Sequence, residues 1–270
     1  FTENVMQLKF RPAIILFLSL LLLGLSGCSS DNSSETDVVL PIIQDTNPGA
    51  SPTASEICNN SLFPSRQGAA WVYASTGGPG GAFIYTNSIT ESRTDGFTLT
   101  TQFSDQTRTQ EWVCLPDGLK AMQLGGGSAA GTSIQGMTSE LTTSNVNGLS
   151  LPQNIIAGMQ WQYSLQLQGN IVMPDNPQAP ASGIYSVTMQ EMGKETVTVP
   201  AGTFAAVKIQ SNSTVDITTS FEGNEVPIKF SGTTITWYAP GVGYVKVVEN
   251  GDYGGQFFSS TTELQSYSIP

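Results

Sequence analysis

"ETVTVPAGTFAAVKIQ", residues 195–210, alternates apolar and polar side chains on both sides of a Pro-Ala-Gly corner. Val197 and Val199 share one side before the corner, and Ala205, Val207 and Ile209 share one side after it. A period of two marks a half-buried strand, and a tight corner between two such runs makes a hairpin. The chain then repeats this pattern in "VDITTSF" (215–221), "EGNE" (222–225) and "VPIKF" (226–230), with Val226, Ile228 and Phe230 on one side. Asp95-Gly96, Asp117-Gly118 and Asn250-Gly251 read as further hairpin turns. Thr and Ser at alternate positions suit strands with one wetted face. The expected fold is therefore all-β, a mostly antiparallel sheet domain built as a curved half-barrel or a sandwich. Residues 125–148, rich in Gly, Ser and Thr, are expected to hold one strand (137–144) between two loops.

The chain also echoes itself. "PSRQGAAWVY" (64–73) returns as "PQNIIAGMQWQY" (152–163): a Pro, then Gly, two residues, Trp, one residue, Tyr. "WVCLPDGLK" (112–120) returns as "WYAPGVGYVK" (237–246), in the same order along the chain. Trp and Tyr two apart lie on one face of a strand, and the two motif pairs together use all four Trp residues. Two related β units of unequal size are expected, residues 56–148 and 149–270, with a single domain over 56–270 as the alternative. The Trp residues are expected in core packing, the other reading being an aromatic that faces a ligand.

Upstream of the strands the sequence carries an address. Lys9 and Arg11 precede the apolar run "AIILFLSLLLLGL" (13–25), which is shorter than the roughly 20 residues a spanning helix needs. Met6 is the expected initiator. "LSGC", residues 25–28, resembles the lipobox of bacterial lipoproteins. That resemblance implies a signal peptide over 1–27, cleavage before Cys28, and a diacylglycerol on the Cys28 sulfur with a further acyl chain on its amine. Two or three acyl chains anchor stably where one does not. Residues 28–55, rich in Ser, Asp, Thr and Pro, then read as a flexible tether, in which "VVLPII" (38–43) is a candidate edge strand. The expected location is the cell envelope, and Ser29 after the lipidated Cys points to the outer membrane if the organism has two.

The other end carries a second resemblance. "VPAGTFAAVKI" (199–209) followed by "WYAPGVGYVK" (237–246) is similar to a group of bacterial exported β proteins and lipoproteins, over roughly residues 183–270. The likeness implies an antiparallel sheet curved as a half-barrel and brings no catalytic residues with it. At the level of fold alone, the half-barrels that carry lipoproteins are an analogy.

Composition narrows the chemistry. With no His, the Ser-His-Asp and Cys-His arrangements and all His-ligated metal sites are excluded. Of three Cys, Cys28 goes to lipid, and the remaining Cys58 and Cys114 are expected to form one disulfide in an exported protein. A formal charge of −11 with scattered Lys and Arg argues against nucleic acid and anionic lipid as partners. Glu191 with Glu195, or Glu222 with Glu225, are the carboxylate pairs a glycosidase would need, though solvated turns and strand ends explain them as well. "ENGDYGG" (249–255) lacks the alternating acidic pattern of a calcium loop, and neither Gly cluster (75–83, 124–131) is followed by the Lys-Ser/Thr of a phosphate loop.

No catalytic residue, metal or cofactor is therefore assigned, apart from the covalent lipid. The expected function is a membrane-anchored, non-catalytic binding or structural β domain. Its candidate partners are a glycan, an apolar ligand or an envelope protein, with Tyr238 and Lys246 as candidate outward contacts. The alternatives are a carboxylate-dependent, carbohydrate-active hydrolase and a lipid or lipoprotein carrier with an apolar concave face.

Overall fold

The computed structural model describes residues 58–78, 81–124, 138–172, 178–221, 224–253 and 256–270. The signal peptide, Cys28, the tether with residues 38–43, most of the Gly-rich segment and Glu222 lie outside the described residues. Among the described residues, thirteen strands follow in chain order: β1 (Ala70–Gly77), β2 (Phe83–Ser92), β3 (Gly96–Gln102), β4 (Thr107–Leu115), β5 (Gly118–Ala121), β6 (Thr138–Gly148), β7 (Leu151–Pro152), β8 (Gln160–Val172), β9 (Ala179–Val199), β10 (Gly202–Phe221), β11 (Asn224–Ala239), β12 (Gly243–Tyr253) and β13 (Gln256–Ser268). All belong to one sheet, ordered β6-β8-β9-β10-β11-β12-β13-β1-β2-β3-β4-β5-β7, and every neighbouring pair is antiparallel. A sandwich needs two sheets, so of the two expected architectures the curved single sheet is the one built.

The opening hairpin is where the alternation places it. Val199 pairs with Gly202 around Pro200 and Ala201, and Gly202 takes φ +140°, a conformation that glycine adopts without strain. The expected turn at Asn250-Gly251 is instead continuous strand. Gly251 sits between Gly232 and Phe258 in the ladder. A Cβ there would lie 2.1 Å from Phe258 Cε1, so this glycine makes room for a ring and does not bend the chain.

Two meanders succeed each other. β1 to β5 run up and down in sequence order, and β8 to β12 do the same, with β13 pairing both β12 and β1. Trp71 and Trp161 each begin the first strand of their meander, and Trp112 and Trp237 each sit in the fourth. The motif echo thus coincides with a topological one. The second copy owes its length to β9, β10 and β11, of 21, 20 and 16 residues, against 10, 7 and 9 for β2, β3 and β4.

The segment boundary drawn at residue 148 falls between strands that exchange sides. β6 pairs with β8 of the second meander, and β7 pairs back with β5 of the first. Since β6 and β7 lie at opposite ends of the ladder and only Leu149 and Ser150 join them, those ends lie within roughly 11 Å at that point. The sheet is therefore rolled until its ends meet, while its ladder stays open. The seam is held by Tyr163 Oη donating to Ala121 O at 2.6 Å, Ser150 N to Leu119 O at 3.0 Å and Ala121 N to Ser150 Oγ at 2.9 Å.

One end of the roll, which we call the base, is plugged by residues 58–63. Cys58 is disulfide-bonded to Cys114 of β4. Phe63 packs its ring 5.4 to 5.9 Å from those of Trp71, Phe97 and Trp112. Asn60 Nδ2 donates to Pro152 O, and Gly241 N donates to Ser61 O, which ties the plug to β7 and to the β11–β12 corner. The described chain therefore enters at the base, and the long hairpins of the second meander run to the opposite end.

Candidate functional site

Strand alternation separates the carboxylates that the sequence offered as a pair. A bulge in β9 shifts the register between Ile209 and Val207 of β10, where Gly193 takes φ +108°. One extra residue flips every side chain beyond it, so Glu191 and Glu195 emerge on opposite faces. Glu191 is buried and accepts from Gly158 N at 2.8 Å and Gly193 N at 2.9 Å. Glu195 accepts the Trp237 indole N–H and lies 3.5 Å from Lys208 Nζ. The indole bond, aided by Lys208, holds the Glu195 carboxyl below its ordinary range, so it is a charged, bonded acceptor.

Trp237 pairs with Lys208 on one side and Lys246 on the other, and Lys246 pairs with Glu263. The Lys246 Nζ is 2.8 Å from Glu263 Oε1. Lys208 Nζ stands 5.3 Å from the Trp237 ring centroid. This row, with a lysine on each side of the ring, covers Trp237 and leaves it only 8 % exposed.

Tyr238 corrects an expectation. Strand alternation puts it on the face opposite to Trp237, in register with Val207 and Tyr244, edge-on to Tyr244 with ring centroids 6.3 Å apart. It joins an interior tyrosine cluster. Tyr73 stacks on Tyr244 at 4.3 Å and donates its Oη to Tyr244 O at 2.9 Å. Tyr85 Oη lies 3.2 Å from Tyr244 Oη, which accepts from Asn87 Nδ2, and Thr101 Oγ1 donates to Asn87 Oδ1. Burial raises the phenol pKa values, to about 12 for Tyr85 and Tyr238, and raises those of Tyr73 and Tyr244 as well. These rings fill the roll beneath β1, β2 and β12, where a carrier's acyl chain would have to lie.

The acidic and amide side chains of residues 249–252 also divide between the two faces. Glu249 projects from the face opposite to Asn250 and Asp252, since all three sit in β12 with Asn250 and Asp252 two apart and Glu249 one residue before them.

A different arrangement appears where no single motif pointed. Residues 212–214 of β10, 231–233 of β11, 250–252 of β12 and 257–259 of β13 line a shallow depression of about 760 Å³. Two of its rungs, Asn212–Thr233–Asn250–Ser259 and Thr214–Ser231–Asp252–Phe257, present their side chains on one face, and the rung between them, Ser213–Gly232–Gly251–Phe258, points to the other. Asp252 is the one ionisable side chain of this lining. Thr233 Oγ1 donates to Asn212 Oδ1 at 3.0 Å, and Phe257 is 83 % exposed. A signal existed: two consecutive Phe residues in a strand must send one ring to each face. What the sequence could not show is that their neighbours in space come from three other strands.

A family model described as DUF3108-like matches residues 127–264, which span β6 to most of β13 and contain the whole depression. No curated protein matches the chain. Among solved structures, a protein from Bacteroides fragilis NCTC 9343, described as exported and of YmcC-like fold, is 15% identical, covers 78% of this chain and 100% of its own, and has a TM-score of 0.46. One from Parabacteroides distasonis ATCC 8503, described as a lipoprotein, is 16% identical over 77% of this chain and 99% of its own, also at 0.46. The hypothetical lipoprotein YmcC from Escherichia coli K12 is 12% identical over 81% and 90%, at 0.32.

Proposed function

Since the chain belongs to the DUF3108-like family, we propose that it is an exported envelope protein, lipid-anchored at Cys28, whose β domain binds or scaffolds and performs no catalysis. One observation carries the non-catalytic part. The carboxylates Glu191 and Glu195 stand on opposite faces and are each engaged, one by two backbone N–H groups and the other by Trp237 and Lys208. A pair acting on one glycosidic bond must instead face a common cleft at ~5 to 9.5 Å.

The lipid anchor rests on the lipobox-like residues 25–28, and the architecture suits it. Chain entry at the base leaves the elongated hairpins at the far end of the domain, open to a partner. Metabolic labelling with an alkyne fatty acid should mark the wild-type protein and leave Cys28→Ala unmarked, and equal labelling of both would refute the anchor. For the chemistry, the full chain incubated with envelope polysaccharides should release no reducing ends. Release that Glu191→Gln or Glu195→Gln abolishes would overturn the non-catalytic reading.

A further inference from the structure

We propose that the face of β10–β13 that carries Asn212, Thr214, Ser231, Thr233, Asn250 and Phe257 is a binding site for a neutral oligosaccharide, an inference that rests on the binding reading above and names its ligand class. The lining chemistry selects the ligand. Asn212, Thr214, Ser231, Thr233 and Asn250 offer hydroxyls and carboxamides that both donate and accept, as a polyhydroxylated ring requires. Thr233 already occupies Asn212 Oδ1, which directs the amide N–H groups of Asn212 towards a ligand. At the end of the outer rung Phe257 exposes 83 % of its surface. An aromatic face left in water beside polar side chains fits the apolar C–H face of a sugar ring.

Charge excludes the competing anions. The lining holds no Lys or Arg and includes Asp252, on a chain of formal charge −11, so phosphate, sulfate or uronate groups would be repelled. Four strands at ~4.8 Å spacing give a platform roughly 14 Å across, suited to several sugar units in a row. The platform lies beyond the reach of β5, the four-residue counterpart of β12 in the first meander, so it is built by strand length that only the second meander has.

The test uses the full chain in detergent and a panel of neutral tetrasaccharides of hexose and N-acetylhexosamine, each with its sulfated and uronate-bearing analogue, titrated calorimetrically. At least one neutral tetrasaccharide should bind, its anionic analogues at least tenfold more weakly. Phe257→Ala and Asn250→Ala should each weaken binding at least tenfold while the melting temperature stays within about 2 °C, since both positions are exposed. Binding of no neutral tetrasaccharide, a preference for the anionic analogues, or affinity unchanged in both variants would overturn the site. A null titration with Cys28 still acylated removes the site and leaves the anchor. Cleavage of a bound tetrasaccharide removes the non-catalytic reading and leaves the site.

Discussion

Breaking the Cys58–Cys114 bond should loosen the base of the roll. The bond closes a loop with a sequence separation of 56, and its removal restores unfolded-state entropy equivalent to about 4 kcal/mol in the chain-entropy model. Both sulfurs are buried, so Cys58→Ala/Cys114→Ala is the cleaner perturbation than Ser, which would bury hydroxyls. For a domain of this size, about 4 kcal/mol corresponds to a fall in Tm of roughly 10 °C. The segment that the bond tethers also holds Phe63 among Trp71, Phe97 and Trp112. If that segment detaches, a further ~2 to 3 kcal/mol of Phe burial is lost. Differential scanning calorimetry of the full chain, wild type against double variant and with and without reductant, measures the total. Hydrogen exchange then locates it, with protection lost first in β4, β5 and β7 and kept in β10–β13. A double variant melting within about 2 °C of the wild type, or two thiols reactive in the denatured wild type without reductant, would refute the reasoning.

Two further outcomes follow from the interior. The buried phenols of Tyr85 and Tyr238 titrate at about 12 in the folded chain against ~10 unfolded. Their stabilisation is complete below pH ~10 and lost as the pH rises towards 12, at about 1.4 kcal/mol per pH unit for each phenol. Urea midpoints at pH 8, 10 and 11 should be level and then fall, and an unchanged midpoint at pH 11 would contradict the burial. At the seam, Tyr163→Phe leaves Ala121 O without its 2.6 Å donor and should cost about 1 to 2 kcal/mol by urea denaturation, with faster exchange of β5 amides. A cost below about 0.3 kcal/mol would mean the seam is not held there.

Local patterns explain what the chain revealed by itself. Alternation within residues 195–210 sets which side each residue takes relative to its neighbours, and the Pro-Ala-Gly corner sets where the strand reverses, because both are properties of adjacent residues. The pairing of Cys58 with Cys114 was legible because the lipobox-like residues 25–28 set the third Cys aside. The Trp-Tyr echo falls on the first strand of each meander, with Trp71 in β1 and Trp161 in β8. Asn250-Gly251 misled, since a glycine needed for a turn and one needed beneath Phe258 look the same in sequence. The Glu191–Glu195 pair misled because a bulge in β9 adds a residue without any mark of its own and flips all that follows, and Tyr238 misled because alternation fixes that it opposes Trp237 but not which of the two is inside.

The sequence by itself determined an antiparallel β chain, its hairpin corners, its candidate lipid anchor and its lack of His chemistry. Only the tertiary structure decided which face is inside, that two meanders share one rolled sheet, and that Asn212, Thr233, Asn250 and Phe257 meet on one surface. The physical reason is register. Each hairpin fixes its own ladder locally, but a surface spanning four strands depends on three registers and the bulges between them, and those are set by packing across the roll.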